Sequence, residues 1–315
     1  MNNYIFQVEK ARKELLKLVN KTDKDLLKVY REAGQMIEAR LRRVKKDSAT
    51  EAYLKELQKT LKIYEEELRI QIKKVIQTSM FDAAYSATIV NIEYFEKLGQ
   101  DEITKAVKNL YVRLGEEAVR TMISGQYYKD GLTLDNRIWR LTKKNAESIQ
   151  RLIEVNLLKG ANARELAKLV DKYSKNKINK KTLEDGISSK LSYQASRLAR
   201  TSLTHSFNET IIRNAKANPF VMGIKWNLSP SHFTRQVEKW GEDICDEYAN
   251  QNLYRLGQGV FPIKETPIAH PNCLCYLTEE TVPINEARET LVDWVNGKEV
   301  TILDKWDSEN NIIKM

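Results

Sequence analysis

The sequence predicts a mainly α protein, with a long helical N-terminal region and a small C-terminal α+β module. Three observations predict it. All six prolines (Pro219, Pro230, Pro262, Pro267, Pro271 and Pro283) lie beyond Asn218, and proline interrupts a helix by removing a donor and clashing with the preceding turn. Between Met1 and Asn218, apolar side chains recur at the three- and four-residue steps of a helix face. Beyond Pro219 the period drops to two in GIKWNLS (Gly223 to Ser229) and CLCYLT (Cys273 to Thr278), as in strands.

The elements follow in order. The TDKD signal at Thr22 predicts a helix start at Asp23, with Leu26, Leu27, Tyr30, Ala33, Ile37 and Leu41 as its apolar face. DSAT, Asp47 to Thr50, predicts the cap of a second and longer helix through Leu54, Leu57, Leu61, Tyr64, Leu68, Ile72, Val75 and Ile76 towards Leu98 and Gly99. Its heptad-like spacing suits either a helical hairpin or a coiled-coil arm. Further helices are expected at about 101–124, 134–158 and 163–173. KYSKNKINKK, Lys172 to Lys181, has no apolar period and is expected to be a basic linker. A helix from Ser188 to about Ala217 carries Leu191, Ala195, Leu198, Ala199, Leu203, Phe207 and Ile211 as its buried stripe, and Asn218–Pro219 ends it. After the first strand come a short acidic helix in EDICDEYANQ, a glycine-rich LGQGVF turn and the CLCYLT strand. The last 35 or so residues are expected to form a helix and a polar tail that orders on a partner. The expected division is a basic helical region over 1–182, a module over 183–280, and a helix with tail over 281–315.

Composition narrows the class. With 42% hydrophobic and 30% charged residues in 315, the chain can bury one large core or two domains. No run of about 18 apolar residues exists to span a membrane, and MNNYIFQVEKARKELL lacks the pattern of a secretion signal. Three cysteines without framework spacing point to a reducing compartment. The net charge of +9 is unevenly spread. Residues 1–218 hold 43 Lys and Arg against 28 Asp and Glu, and the remainder holds 9 against 15. The front part is thus suited to nucleic acid or an acidic protein surface, or is simply a solvated lysine-rich face.

AHPNCLCYL, Ala269 to Leu277, concentrates one His and two Cys of a chain with three of each. On a strand, Cys273 and Cys275 would share a face and grip one zinc ion with His270, the fourth ligand coming from His232, Cys245, Asp243 or Asp246. No cofactor is otherwise required. The competing reading is a Pro271–Asn272 turn, a His270 bonded to nearby backbone, and thiols that fill the core. A Cys245 thiolate paired with His232 or His270 has nothing specific behind it, because Glu242, Asp243, Asp246 and Glu247 should raise a thiol pKa. Asp243 and Asp246 suit either a Mg²⁺ site or, better, the first turn of a helix. The residues suited to phosphate or to an acidic partner are Arg40, Arg42, Arg43, Lys45 and Lys46 in RLRRVKK, Lys175, Lys177, Lys180 and Lys181 in the linker, and Arg197 with Arg200. No P-loop, G-x-G-x-x-G, helix-turn-helix or finger is present.

The ordered set ASRLARTSLTHSFNE (Ala195 to Glu209), GIKWNLSPSH (Gly223 to His232), EDICDEYA (Glu242 to Ala249), GVFPI and IAHPNCLCYL (Ile268 to Leu277) resembles the minor head protein family of tailed bacteriophages, the head morphogenesis proteins with a Mu F-like domain. The resemblance spans roughly residues 185–280, and its most specific piece is the H-P-N-C-x-C end after an R-T-x helix and a K-x-W strand. It implies a non-catalytic virion component in few copies. Such a protein associates with the portal protein and other head proteins in the host cytoplasm, enters the head, and contacts packaged double-stranded DNA or assists its delivery. Leu274 and Ser202 depart from the Arg and Glu that the family commonly carries there, which puts in doubt an ionic role at those positions. Two other classes stand beside it: a metal-dependent nuclease or hydrolase using His232, Asp243, Asp246 and His270, and a DNA-binding adaptor that works through its basic front part.

Overall fold

The computed structural model describes residues 3–43, 51–159, 161, 163–178, 183, 187 and 191–312. It is predominantly helical, with a three-stranded antiparallel sheet towards the C-terminus, as the proline distribution and periodicity predict. The helices are α1 (Asn3–Arg43), α2 (Glu51–Leu98), α3 (Asp101–Ile123), α4 (Leu134–Leu158), α5 (Ala163–Ser174) and α6 (Tyr193–Lys216). After them come β1 (Val221–Asn227), α7 (Glu238–Trp240), α8 (Ile244–Asn250), β2 (Val260–Phe261), β3 (Tyr276–Thr281), α9 (Ile284–Val295) and α10 (Thr301–Asn310). The chain divides into two units: residues 1–19, 79–122 and 200–315 form one, and residues 20–78 and 123–199 the other. Among the described residues no helix is long and apolar enough to cross a membrane.

Helix α6 begins at Tyr193 rather than Ser188, with Leu191 in the turn before it, and two further boundaries differ from expectation. Helix α1 does not begin at Asp23 but runs straight through the TDKD signal, with Thr22 buried in mid-helix. The reason is the buried stripe, which extends N-terminally from Leu26 through Val19, Leu15 and Val8. A cap is worth about 1 kcal/mol, and a continuous packed face outweighs it. At the other end, the polar tail is a second helix, α10. Leu303 and Trp306, three residues apart, are buried on one side of it, and the Trp306 indole donates to the Ala217 carbonyl at 2.7 Å. The DSAT cap and the expected boundary at residue 182 lie outside the described residues.

In the unit formed by residues 20–78 and 123–199, side chains tie the helices together within the chain. Asn145 on α4 donates to the Tyr30 hydroxyl of α1 at 2.6 Å. Gly34 lies against Ser174 of α5 with no room for a Cβ. Asp135 of α4 accepts from Arg69 at 3.2 Å and Lys73 at 3.0 Å, both on α2.

The other unit holds the sheet, in the order β2-β1-β3. Trp226 pairs with Leu277 and Ile224 with both Phe261 and Glu279, so the inward-facing residues of β1 alternate as a half-buried strand requires. Behind the sheet lies an aromatic cluster in which Phe95 of α2 stacks on Trp306 with ring centroids 5.7 Å apart, flanked by Phe220 and Tyr111. The buried Glu279 carboxylate accepts from Asn91 of α2 at 2.8 Å. That bond ties β3 to α2, and the ends of β1 and β3 carry the residues of interest.

Candidate functional site

One face of α6 organises the site. Thr201, Thr204, His205 and Asn208 recur at helix spacing and so point the same way, and each bonds to the Ala269–Leu277 segment. Thr201 Oγ1 accepts from the Asn272 N–H at 2.8 Å, and Thr204 Oγ1 donates to the Cys273 carbonyl at 3.0 Å. His205 Nε2 donates to the Ala269 carbonyl at 2.8 Å. Asn208 uses both ends of its amide, donating to the Cys275 carbonyl at 3.4 Å and accepting from the Leu277 N–H at 3.3 Å.

This ladder corrects the placement of the cysteines. Cys273 and Cys275 are not on a strand, because β3 begins at Tyr276. The backbone groups of residues 269–275 bond largely to side chains, those of α6 together with Arg12 and Arg235, rather than to a neighbouring strand. Pro271 and Asn272 make a turn closed by the Cys273 N–H on the His270 carbonyl at 3.2 Å. Asn272 takes a φ of 67° there, a left-handed conformation that asparagine tolerates better than most residues. The reading of a turn with inward-facing thiols fits this geometry, and His270 Nδ1 donates to the Pro271 carbonyl at 3.0 Å.

The three cysteines, all in the C-terminal part of the chain, converge with His232. All three are reduced and buried. Cys245 Sγ lies 3.5 Å from Cys273 Sγ, and Cys275 Sγ lies 3.7 Å from His232 Nδ1. Backbone donors point at the sulfurs: the Cys275 N–H at Cys273 Sγ (3.2 Å) and the Ser229 N–H at Cys275 Sγ (3.4 Å). The far nitrogen of His232 is bound to Asp246 at 2.9 Å. Asp246 is itself part of a reciprocal capping box, accepting from the Asp243 N–H at 2.9 Å while Asp243 accepts from the Cys245 N–H at 2.8 Å. The two aspartates therefore start α8, as their spacing suggests. His270 Nε2 is 3.2 Å from Asp243 Oδ2, within ion-pair distance but outside hydrogen-bond geometry.

A residue far away in sequence completes the surroundings. Arg12 of α1, 4% exposed, donates from Nη2 to Ser229 Oγ at 3.0 Å and to the Leu274 carbonyl, between the two cysteines, at 3.1 Å. Its guanidinium carbon sits 3.7 Å from the centroid of the Tyr276 ring, a cation–π contact. Nε and Nη1 are buried without an acceptor.

The electrostatics follow from this crowding. Hydrogen bonds from the Cys245 and Cys273 thiols, against the cost of burial, draw the Cys275 thiol pKa down, helped by the Ser229 N–H and by His232. The same sharing holds the proton on Cys245, whose pKa is raised by its two sulfur neighbours and by burial. The sequence points to acidic neighbours as the cause, whereas the sulfurs and burial are what raise it. Burial lowers the His232 pKa, yet the hydrogen bond to Asp246 and the charges of Cys275, Asp246 and Asp243 win and raise it. Burial disfavours the Asp246 carboxylate, and the Asp243 N–H and His232 outweigh it, so its pKa falls.

Two groups have ligand atoms all within 4.8 Å of one another, Cys245 with His270 and Cys273, and His232 with Asp243 and Asp246. Cys275 belongs to neither group, but it touches His232 Nδ1 at 3.7 Å. Lys175 is paired with Asp171 at 2.6 Å. Lys177 and Arg197 are exposed, and Arg40 and Arg200 are half-buried. Lys45, Lys46, Lys180 and Lys181, and the side chains of Arg42 and Arg43, lie outside the described residues. The residues that sequence reasoning passes over are Arg12 and the α6 polar face. Arg12 had a signal: it interrupts the apolar stripe between Val8 and Leu15, where a charge is out of place.

Comparison with family models, curated proteins and solved structures finds no match to the chain.

Proposed function

We propose that the chain is a minor head protein of a tailed bacteriophage, a non-catalytic component that joins the head at the portal vertex during assembly. The observation that carries this reading is the α6 ladder. Two of the stretches on which the family resemblance rests, Ala195 to Glu209 and Ile268 to Leu277, are far apart in sequence, yet they bond to one another through Thr201, Thr204, His205 and Asn208. Residues used to hold each other's backbone serve architecture. The carboxylates that a nuclease would need for a hard divalent cation are taken up by the capping box and by His232. The excess of Lys and Arg over residues 1–218 suits contact with packaged DNA or with an acidic face of the portal. Mass spectrometry of purified particles of the phage or prophage that encodes the chain tests the proposal. It predicts the chain in head-containing particles at a few copies each; its absence from them contradicts the proposal.

A further inference from the structure

We propose that Cys245, Cys273, Cys275 and His232 Nδ1 are the four ligands of one structural zinc ion, with Asp246 orienting the histidine. Two of the ligand pairs have the separations a tetrahedral site needs. Zn–S bonds of about 2.3 Å and Zn–N bonds of about 2.0–2.1 Å at tetrahedral angles put two sulfurs about 3.8 Å apart and a sulfur and a nitrogen about 3.6 Å apart. The observed separations are 3.5 Å for Cys245–Cys273 and 3.7 Å for Cys275–His232. Three thiolates and an imidazole are a soft donor set that selects zinc over magnesium or calcium.

The surroundings point the same way. His232 binds Asp246 through Nε2, which leaves Nδ1 as the lone-pair nitrogen facing Cys275. A carboxylate behind a ligating histidine is the usual outer partner of a zinc site. Two backbone N–H groups aim at the sulfurs. Arg12 supplies the balance of charge: three thiolates and a dication carry a net −1, and a buried guanidinium beside them offsets it. A buried cation without an anion nearby is costly, and no carboxylate contacts Arg12 among its described partners. The ligands come from three separate pieces, the turn after β1, the first turn of α8 and the turn before β3, in a module whose β2 has two residues. One ion would cross-link all three. His270, rather than Cys275 or His232, completes the group whose ligand atoms lie within 4.8 Å of one another around Cys245 and Cys273, but it is partly exposed and faces Asp243.

The site is independent of the proposed role in the phage head, because either can fail without the other. The test is metal titration of the full-length reduced chain, stripped by chelator and then given zinc in competition with a chromophoric chelator, with cobalt(II) as a spectroscopic substitute. One equivalent per chain is expected, with the thiolate-to-cobalt charge transfer and visible bands of a tetrahedral sulfur-rich site. His232→Ala and Cys275→Ser should lose that equivalent, and Asp246→Asn should weaken it roughly 10–100-fold. His270→Ala should keep it. Because the cysteine variants can fail to fold, the wild-type cobalt spectrum is decisive alone. No stoichiometric metal in the wild type, a Cys245–Cys273 disulfide in its place, or loss in His270→Ala with retention in His232→Ala would overturn the assignment.

Discussion

Arg12 Nη2 and the Leu274 carbonyl are 3.1 Å apart, so a charge on α1 is bonded to the one residue that separates Cys273 from Cys275. The position is structural in its effects. Arg12→Met keeps the apolar stem and removes the charge, leaving Ser229 Oγ and the Leu274 carbonyl without this donor. A loss of about 3 kcal/mol is expected, read from urea denaturation of the reduced chain. A change within about 0.5 kcal/mol would mean that the buried guanidinium contributes nothing.

Asn208 is the second pressure point. Asn208→Ala removes the partner of both the Cys275 carbonyl and the Leu277 N–H, two buried backbone groups, at about 3 kcal/mol in all. Asn208→Asp keeps an acceptor for Leu277, and its protonated form can also donate to Cys275. Its stability should therefore be closer to wild type in acid and fall as the introduced carboxyl ionises with rising pH. Thermal melts across pH check the sign.

Helix α10 is predicted to be part of the folded unit. Trp306→Ala loses the stack on Phe95 and the bond to Ala217 and should cost about 4 kcal/mol. Trp306→Phe keeps most of the stack and should cost about 1 kcal/mol, the worth of the lost hydrogen bond. Equal melting temperatures for the wild type and Trp306→Ala would place α10 outside the cooperative unit.

The acid cluster is predicted to lack nuclease activity. Duplex DNA incubated with the chain and Mg²⁺, Mn²⁺ or Zn²⁺ should stay intact. Cleavage that Asp246→Asn abolishes would establish the hydrolase reading instead. Binding without cleavage is expected to weaken steeply with salt if the basic helices contact phosphates.

Much of the fold is legible from periodicity and proline alone. The helix ends at Leu98 and Leu158, the end of α6 near Ala217, β1 and the capping role of Asp243 and Asp246 all follow from local pattern, because local interactions determine them. What local pattern misses has one cause. Asp23 looks like a start only when the stripe through Val8 and Leu15 is ignored. DKWDSENN looks polar until Trp306 finds Phe95, far earlier in the chain. The cysteines look like strand residues until their backbone partners turn out to be side chains of α6. Of the site, the identities of Cys245, Cys273, Cys275, His232 and His270 are legible. Their sorting is not, because the choice between His232 and His270 depends on Asp246 and on a turn geometry that spacing does not encode.

A place at the portal vertex would make incorporation of the chain depend on the portal protein. Head shells assembled with and without the portal protein can be purified and their content of this chain compared by quantitative mass spectrometry. The account predicts the chain in portal-containing shells, a few copies each, and its loss when the portal is omitted. Equal incorporation into both kinds of shell, or absence from both, would contradict it.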